Sequence, residues 1–343
     1  MKIALDATYS IDQHPSGIAV YSREILHGLA EAHPDDSFVH CYRSKQYRRA
    51  TRQNWPNVKT RALLPLLGGM FAKPDVFHAL NQRLDRRLAK KVVATFHDLF
   101  VLTGDYSTPD FRRRFAQQAR LAEQNADLII AVSQFTANQV QQLLGVAAKR
   151  IRVIPHGAHA PAQLARTEEK MVLSVGAIQL RKNTARLVEA FAALPEHWQL
   201  ILAGAPTGYG AESILAGIRN SPAARRIHLA GYVSAEELQR LYARAAIVAF
   251  PSLDEGFGIP VLEAMAHGVP VITSNCSAMP EVAGNAAVLV DPLSVDTIAA
   301  ALVDLADNPE RRNELSKAGR ARAELFTWRR AVDETYAVYR ELL

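Results

Sequence analysis

Two glutamates with glycines between them are the first residues in this chain that look built for chemistry. Glu255 and Glu263, with seven residues between them, lie in Phe250-Pro251-Ser252-Leu253-Asp254-Glu255-Gly256-Phe257-Gly258-Ile259-Pro260-Val261-Leu262-Glu263-Ala264-Met265-Ala266. An apolar strand runs into a glycine-rich turn, and Pro260 suits the first turn of a helix. Backbone amides in such a turn point outward with the helix's positive end, which makes an anion site. Two acids beside an anion site make sense when the ligand also offers hydroxyls, and a sugar nucleotide offers both. The same residues would also suit a tight strand–helix turn with two surface glutamates. A second feature is the adjacent pair Arg181-Lys182 ahead of a helical stretch. Cations are poorly placed at a helix's positive end unless an anion is there; the plainer reading is an exposed basic pair.

The elements that must position these residues repeat a pattern twice. Strand-like runs at Lys2–Asp6, Phe38–Tyr42, Val76–Ala79, Val92–Phe96, Leu128–Val132 and Ile151–Ile154 alternate with helical stretches at Ile18–Ala30, Phe111–Asn125 and Phe135–Leu144. After a polar, non-periodic segment (Ala158–Lys170), strands are expected at Met171–Gly176, Leu200–Ala203, Ile227–Leu229, Ile247–Phe250, Val269–Thr273 and Ala287–Val290. Helices fit Thr184–Ala193, Ala235–Ala243, Pro260–His267, Asp296–Ala306 and Trp328–Leu342. Strands alternating with helices argue for parallel sheets covered on both faces. The expectation is two α/β domains in series, residues 1–160 and 165–327, joined near residues 157–170. The segment 328–343 either closes the second domain or crosses back onto the first.

Ligands gather outside the carboxyl ends of parallel strands. Thr95-Phe96-His97-Asp98-Leu99 ends a strand of the first domain, so His97 and Asp98 are expected to face the cleft. The alternative is Asp98 capping a helix beside a buried His97. Gly17, between the first strand and its helix, would let a phosphate approach closely. Gly231-Tyr232-Val233-Ser234 follows another strand, with Ser234 and Glu237 spaced as a capping box.

These segments together closely resemble the retaining glycosyltransferases of family 4, whose GT-B fold implies two Rossmann-like α/β domains with parallel sheets facing across a deep cleft and a closing helix, here 328–343, that crosses back onto the first domain. The resemblance covers nearly the whole chain. It is carried by Glu255-x7-Glu263 with the following Gly-Val-Pro-Val-Ile-Thr-Ser-Asn, by Ser16-Gly17-Ile18 through Tyr21, and by Val132-Ser133-Gln134-Phe135-Thr136. Ile151 through Gly157, and Ser174-Val175-Gly176 through Arg181-Lys182-Asn183, complete it. The resemblance implies that the second domain binds a nucleotide-sugar donor and the first an acceptor. Glu263, beside Leu262, would hold the ribose. Glu255 would lie near the transferred sugar, with the amides of Gly256, Phe257 and Gly258 on its hydroxyls. Arg181 and Lys182 would neutralise the diphosphate next to Gly176, Tyr232 and Val233 would line the base, Gly17 would form the other side of the diphosphate site, and His97 and Asp98 would lie near the reacting sugar. A departing nucleoside diphosphate develops charge, and fixed cations and amides stabilise that charge without a proton donor. Ala177 stands where the family often has arginine. Gly-Ala-Ile-Gln-Leu-Arg-Lys-Asn resembles instead a branch common among mannosyl- and other hexosyltransferases of surface polysaccharides, although Gln179-Leu180 departs from its Glu-Pro. GDP-mannose is the donor so implied, and UDP-sugars are the runner-up.

Composition narrows the rest. With 343 residues, 49% hydrophobic and 22% charged, the chain is globular and not disordered or fibrous, and long enough for two domains. Residues 1–155 hold 22 Lys and Arg against 13 Asp and Glu; residues 156–343 hold 18 against 21. The basic first half reads either as a solvated surface or as attraction to phosphate. Arg112-Arg113-Arg114 and the apolar run Leu63–Phe71 would suit peripheral contact with an anionic membrane carrying a lipid-linked glycan, or a loop and helix packed on the core. Nucleic acid is not an expected partner, because neither zinc-finger spacing nor an aromatic RNA-binding motif accompanies the charge. No Asp-x-Asp, dinucleotide glycine fingerprint or Gly-Lys-Ser/Thr loop is present, so no metal and no resident cofactor is expected. No run approaches ~18 apolar residues, and the first apolar run is too short for a signal peptide's core. Cys41 and Cys276 are too few and too far apart for a disulfide framework, which suits a cytoplasmic setting. A sugar-nucleotide epimerase and a non-catalytic sugar-nucleotide sensor are the rival classes.

Overall fold

The strands of the chain form two all-parallel sheets, each with the order reversal that marks a doubly wound fold. The computed structural model describes residues 1–12, 16–50, 55–63, 74–159 and 166–343. The apolar run from 64 onward and residues 13–15 ahead of Gly17 therefore lie outside the described residues. Contacts divide the chain into two compact units. The first comprises Met1–Thr103, Pro109–Gly157 and Trp328–Leu343; the second comprises Gly104–Thr108 and Ala158–Thr327. The division falls at Gly157, not at 160, because Ala158 already pairs with the end of the second unit: its N–H donates to the Phe326 carbonyl at 3.1 Å.

In the first unit the strands are β1 (Lys2–Asp6), β2 (Ser37–Arg43), β3 (Val58–Leu63), β4 (Val76–Ala79), β5 (Lys91–Phe96), β6 (Leu128–Ala131) and β7 (Ile151–Val153). They run in the order β3-β2-β1-β4-β5-β6-β7. The inner strands β4 and β6 are buried throughout, as expected for a sheet with both faces covered. Strand β3 is absent from the sequence reading. It lies at the sheet edge with Lys59 and Arg61 exposed, so its apolar signal is weak.

The closing helix Trp328–Leu342 belongs to this unit. It buries Trp328, Ala331, Val332, Thr335, Val338 and Tyr339, a stripe at helical spacing. The stripe packs on helix Gly17–Ala32 so closely that a Cβ on Gly28 would lie 2.4 Å from Val332 Cγ2. A buried polar chain ties the closing helix to the sheet. Tyr339 Oη is 2.6 Å from His78 Nδ1, His78 Nε2 is 2.8 Å from Thr95 Oγ1, and Thr95 Oγ1 is 2.9 Å from Tyr21 Oη. Burial, with the nearby His97 acting in the same direction, pushes the His78 ring down to about 3, so it is neutral at ordinary pH.

In the second unit β8 (Glu169–Val175), β9 (Gln199–Ala203), β10 (Ile227–Gly231), β11 (Ala245–Phe250), β12 (Val271–Ser274) and β13 (Val288–Val290) run in the order β10-β9-β8-β11-β12-β13. Strand β8 begins inside the segment expected to be a linker, and β12 starts only after Pro270, which cannot donate to a sheet ladder. Helices Ala211–Asn220 and Pro309–Ala323 are further elements that the sequence reading lacks. Chain order reverses between β8 and β11. Outside the carboxyl ends of such neighbouring strands is where doubly wound folds bind ligands.

Candidate functional site

The two loops that leave β8 and β11 carry the charged residues singled out above. After β8, Gly176 takes φ +141°, open to glycine. A Cβ there would lie 3.2 Å from Lys182 Cε, so the lysine runs alongside this glycine. The chain then makes a 3-10 turn at Leu180–Lys182. Asn183, at φ +57°, adopts the left-handed conformation that asparagine tolerates and leads into helix Thr184–Phe191. The Asn183 amide donates to the carbonyls of Pro251 at 3.0 Å and Pro292 at 2.6 Å. Leu253 N–H donates to the Arg181 carbonyl at 2.8 Å. The two loops are thus stitched through backbone groups.

Within this frame Arg181 Nη1 lies 2.7 Å from Glu255 Oε2, and Lys182 Nζ lies 2.6 Å from Glu255 Oε1. Arg181 Nη1 also donates to the Asp254 carbonyl at 2.5 Å. Lys182 Nζ stands 4.4 Å over the Phe250 ring. Ser252 Oγ is 2.6 Å from Glu255 Oε1 and 3.0 Å from the Arg181 carbonyl. A hydroxyl has one proton, and the shorter, charged acceptor takes it. Burial alone would raise the Glu255 carboxyl. The charges of Arg181 and Lys182, with hydrogen bonds from Lys182 and Ser252, outweigh burial and hold it at about 2. Among these three side chains one carboxylate faces two cations with little access to water, and Asp254, adjacent in the chain, is a second buried acid.

Gly256, Phe257 and Gly258 form the turn into helix Ile259–Ala266. Gly258 is its N-cap at φ +96°, and a Cβ there would meet Met279 Cε at 2.4 Å. The Phe257 ring is buried, 5.9 Å edge-on from Phe326. Leu262 is fully buried: the fourth residue of the helix turns its side chain into the core. Glu263 is half-buried, and its Oε2 accepts from the Tyr242 hydroxyl at 3.0 Å. Burial pushes its carboxyl up, and that hydrogen bond and the field of His159 draw it back. Tyr232 is exposed at 41%. It stands with the half-buried Val233 between Gly231, at φ +67°, and helix Ala235–Arg244, whose N-cap Ser234 accepts from Glu237 N–H at 3.1 Å.

In the first unit, Gly17 is the exposed first residue of its helix, behind the N-cap Ser16. His97 is buried at 6%, as in the alternative that sets a buried His97 beside Asp98. Its Nε2 faces the Leu80 carbonyl at 2.9 Å and so carries a proton. The ring sits between Tyr21 at 4.8 Å and His156 at 5.4 Å. Burial, partly offset by the Leu80 contact, lowers it to about 4. Asp98 follows, half-buried, ahead of the short helix Phe100–Thr103. Sequence reasoning missed Ser252, three residues before Glu255, and Tyr242, which reads as an ordinary apolar helix position. It also missed Gly204, after β9, where a Cβ would lie 1.9 Å from the Gly176 carbonyl oxygen.

Two doubly wound parallel units, with a buried charged cluster where the second sheet reverses order, define a GT-B protein. Solved structures share the fold. Sucrose-phosphate synthase from Thermosynechococcus elongatus aligns with a TM-score of 0.81 at 22% identity, over 100% of this chain and 99% of that one. HepE from Anabaena, solved in complex with UDP-glucose, aligns with a TM-score of 0.77 at 18% identity, over 99% of this chain and 100% of that one. In sequence, the profile described as Glycosyl transferases group 1 matches residues 158–322, and that described as Glycosyltransferase Family 4 matches residues 15–160. The O-antigen chain mannosyltransferase B of Escherichia coli is 31% identical over 288 residues, 79% of this chain and 75% of that protein. The chain belongs to the family 4 glycosyltransferases.

Proposed function

We propose that this enzyme is a retaining, metal-independent hexosyltransferase that moves mannose from GDP-mannose to a glycan or lipid-linked glycan during surface polysaccharide synthesis. The observation that carries the reading is the Arg181–Lys182–Glu255 cluster. One carboxylate orients two buried cations at 2.7 and 2.6 Å, and their positive charge complements the negative charge that a departing diphosphate develops. Preorganised cations in a poorly hydrated site stabilise such charge strongly, because nothing must reorganise as the bond breaks. In this reading the chain needs neither a bound metal nor a proton donor for the leaving group. The amides of Gly256, Phe257 and Gly258 hold the sugar hydroxyls, Glu263 holds the ribose, and Tyr232 and Val233 line the base. The first unit, whose first helix opens at Gly17, binds the acceptor. His97 acts as a neutral imidazole with its Nε2 proton on Leu80, and burial makes the ring a weak base; in this reading it orients groups and does not deprotonate the acceptor. The incoming hydroxyl gives up its proton toward the leaving-group oxygen on the same face of the sugar.

The mannosyl donor is supported by the similarity to an O-antigen mannosyltransferase. A UDP-hexose is the second reading, favoured by the likeness to a fold that binds UDP-glucose. Thermal stabilisation separates them: specific binding raises stability by RT ln(1 + [L]/Kd). GDP-mannose raising the melting temperature, with EDTA making no difference, is the expected result. A rise with UDP-glucose alone would replace the donor, and a rise abolished by EDTA would remove metal independence. Helix Pro109–Asn125 exposes Phe111, Arg113 and Arg114 and is the surface that would meet an anionic membrane at the cytoplasmic face. Failure to sediment with anionic vesicles at low salt would discard that contact.

A further inference from the structure

Behind Glu263 stands a set of side chains that no reading of the reaction uses. Tyr242 is fully buried near the end of helix Ala235–Arg244. Its hydroxyl is 3.0 Å from Glu263 Oε2 and 3.4 Å from the Pro260 carbonyl. One O–H serves one acceptor well, and the nearer carboxylate is the stronger. The Tyr242 ring stacks on His267 at 4.9 Å and 26°. His267 Nδ1 donates to the Glu263 carbonyl at 2.8 Å, and its Nε2, left as an acceptor on the neutral ring, lies 2.5 Å from the Gln239 amide, which serves as donor when its NH2 faces the ring. Each of two helices thus contributes two residues one turn apart, Gln239 with Tyr242 and Glu263 with His267. That spacing puts each pair on one face. The ring of Tyr242 is wedged, and its hydroxyl has one place to be.

We propose that Tyr242 is a positioning residue for nucleotide binding: its hydroxyl fixes Glu263 Oε2, and so aims Oε1 at the ribose hydroxyls, while His267 and Gln239 fix Tyr242. The inference rests on the reading of Glu263 as the ribose-binding group. Two physical effects follow from the hydroxyl. Anchoring one carboxylate oxygen removes the rotation that would otherwise have to be frozen when ligand binds, which is preorganisation. A half-buried carboxyl also prefers to be neutral, and the Tyr242 hydrogen bond favours its charged form. Tyr242 itself is held above its ordinary range by burial and by the adjacent Glu263, so it stays a neutral donor. The charged and titratable groups around this cluster are Tyr242, His267 on the Glu263 helix, and His159 from the segment after β7, with Arg166 and Arg320 near His267.

The test is calorimetric binding of GDP and of UDP to the full chain carrying Tyr242→Phe, Glu263→Gln, both, Glu263→Ala or Gln239→Ala. Phenylalanine keeps the stacked ring and loses only the hydroxyl. Tyr242→Phe should weaken binding of the preferred nucleotide about tenfold, the scale of a hydrogen bond to a charged group. The acid limb of its binding profile should move to higher pH, and Glu263→Gln should remove that limb. The double variant should bind no worse than Glu263→Gln alone, because the tyrosine acts through the glutamate. Gln239→Ala, remote from the ligand, should weaken binding in the same direction by about twofold to threefold, and it keeps the inference open to refutation should Tyr242→Phe fold poorly. Wild-type binding and an unshifted acid limb in Tyr242→Phe, with Glu263→Ala impaired, would overturn the positioning role and leave the ribose role standing. Additive losses in the double variant would do the same. Unchanged binding in Glu263→Ala, or no binding of either nucleotide by the wild-type chain, would remove the ribose reading and this inference with it.

Discussion

Replacing Glu255 by glutamine keeps the side chain's shape and leaves Arg181 and Lys182 without their shared counter-charge. The three side chains are 10%, 9% and 15% exposed, so water screens the loss poorly. In the folded protein the Glu255 carboxyl sits at about 2, against an ordinary 4.5. At about 1.4 kcal/mol per pH unit, this corresponds to about 3 kcal/mol of folding stability. Breaking a buried ion pair by removing one partner costs about 3–5 kcal/mol, so two independent routes agree. The sign follows from the lowered carboxyl: the stabilisation is complete above about pH 4.5 and is lost as pH falls toward about 2. Glu255→Gln should therefore unfold about 3 kcal/mol more easily than wild type at neutral pH, or about 6–12 °C lower for a domain of this size. The gap should close in acid, with less than half remaining near pH 3. Urea unfolding followed by circular dichroism, at pH steps from about 7.5 to about 3.5, measures it. A gap under about 1 kcal/mol at neutral pH, or one unchanged at about pH 3.5, would refute the account of the cluster.

Gly204→Ala should cost more than about 2 kcal/mol and weaken nucleotide binding, because its Cβ would stand 1.9 Å from the Gly176 carbonyl oxygen beside Lys182; a melting temperature equal to wild type would contradict this. Burial holds His78 at about 3, His97 at about 4 and His156 well below its ordinary value, whereas the unfolded chain takes up these protons near pH 6.5. Stability should therefore fall as pH drops below about 6.5, by up to about 1.4 kcal/mol per pH unit for each histidine. A urea midpoint that stays flat between about pH 6.5 and 5 would argue against neutral buried rings. This loss sets in about two pH units above the one caused by Glu255, which keeps the two effects separable.

Most of the sheet architecture was legible in the sequence because buried parallel strands are continuous apolar runs. Met171–Val175 and Ile247–Phe250 announce themselves in this way, and the closing helix Trp328–Leu342 does so by its stripe. The edge strand Val58–Leu63 was not legible, since Lys59 and Arg61 interrupt it where the sheet meets solvent. The types of residue at the site were also legible: glycines that turn a strand into a helix, a proline in its first turn, two acids, and a pair of cations. Their partnerships were not. Arg181 and Glu255 are 74 residues apart, and meet because β8 and β11 become neighbours where the sheet reverses its order. That Glu255 is the counter-charge of Arg181 and Lys182, and that His97 packs between Tyr21 and His156, is not written in their spacing.

By itself the sequence determined which segments bury apolar side chains, where the chain turns, and which functional groups stand at strand ends, because those depend on local periodicity and backbone preference. Only the tertiary structure decided which charge faces which, which carboxyl is held ionised and which is pushed toward neutrality. Those depend on distance and on the exclusion of water, and both arise only when distant strands pack side by side.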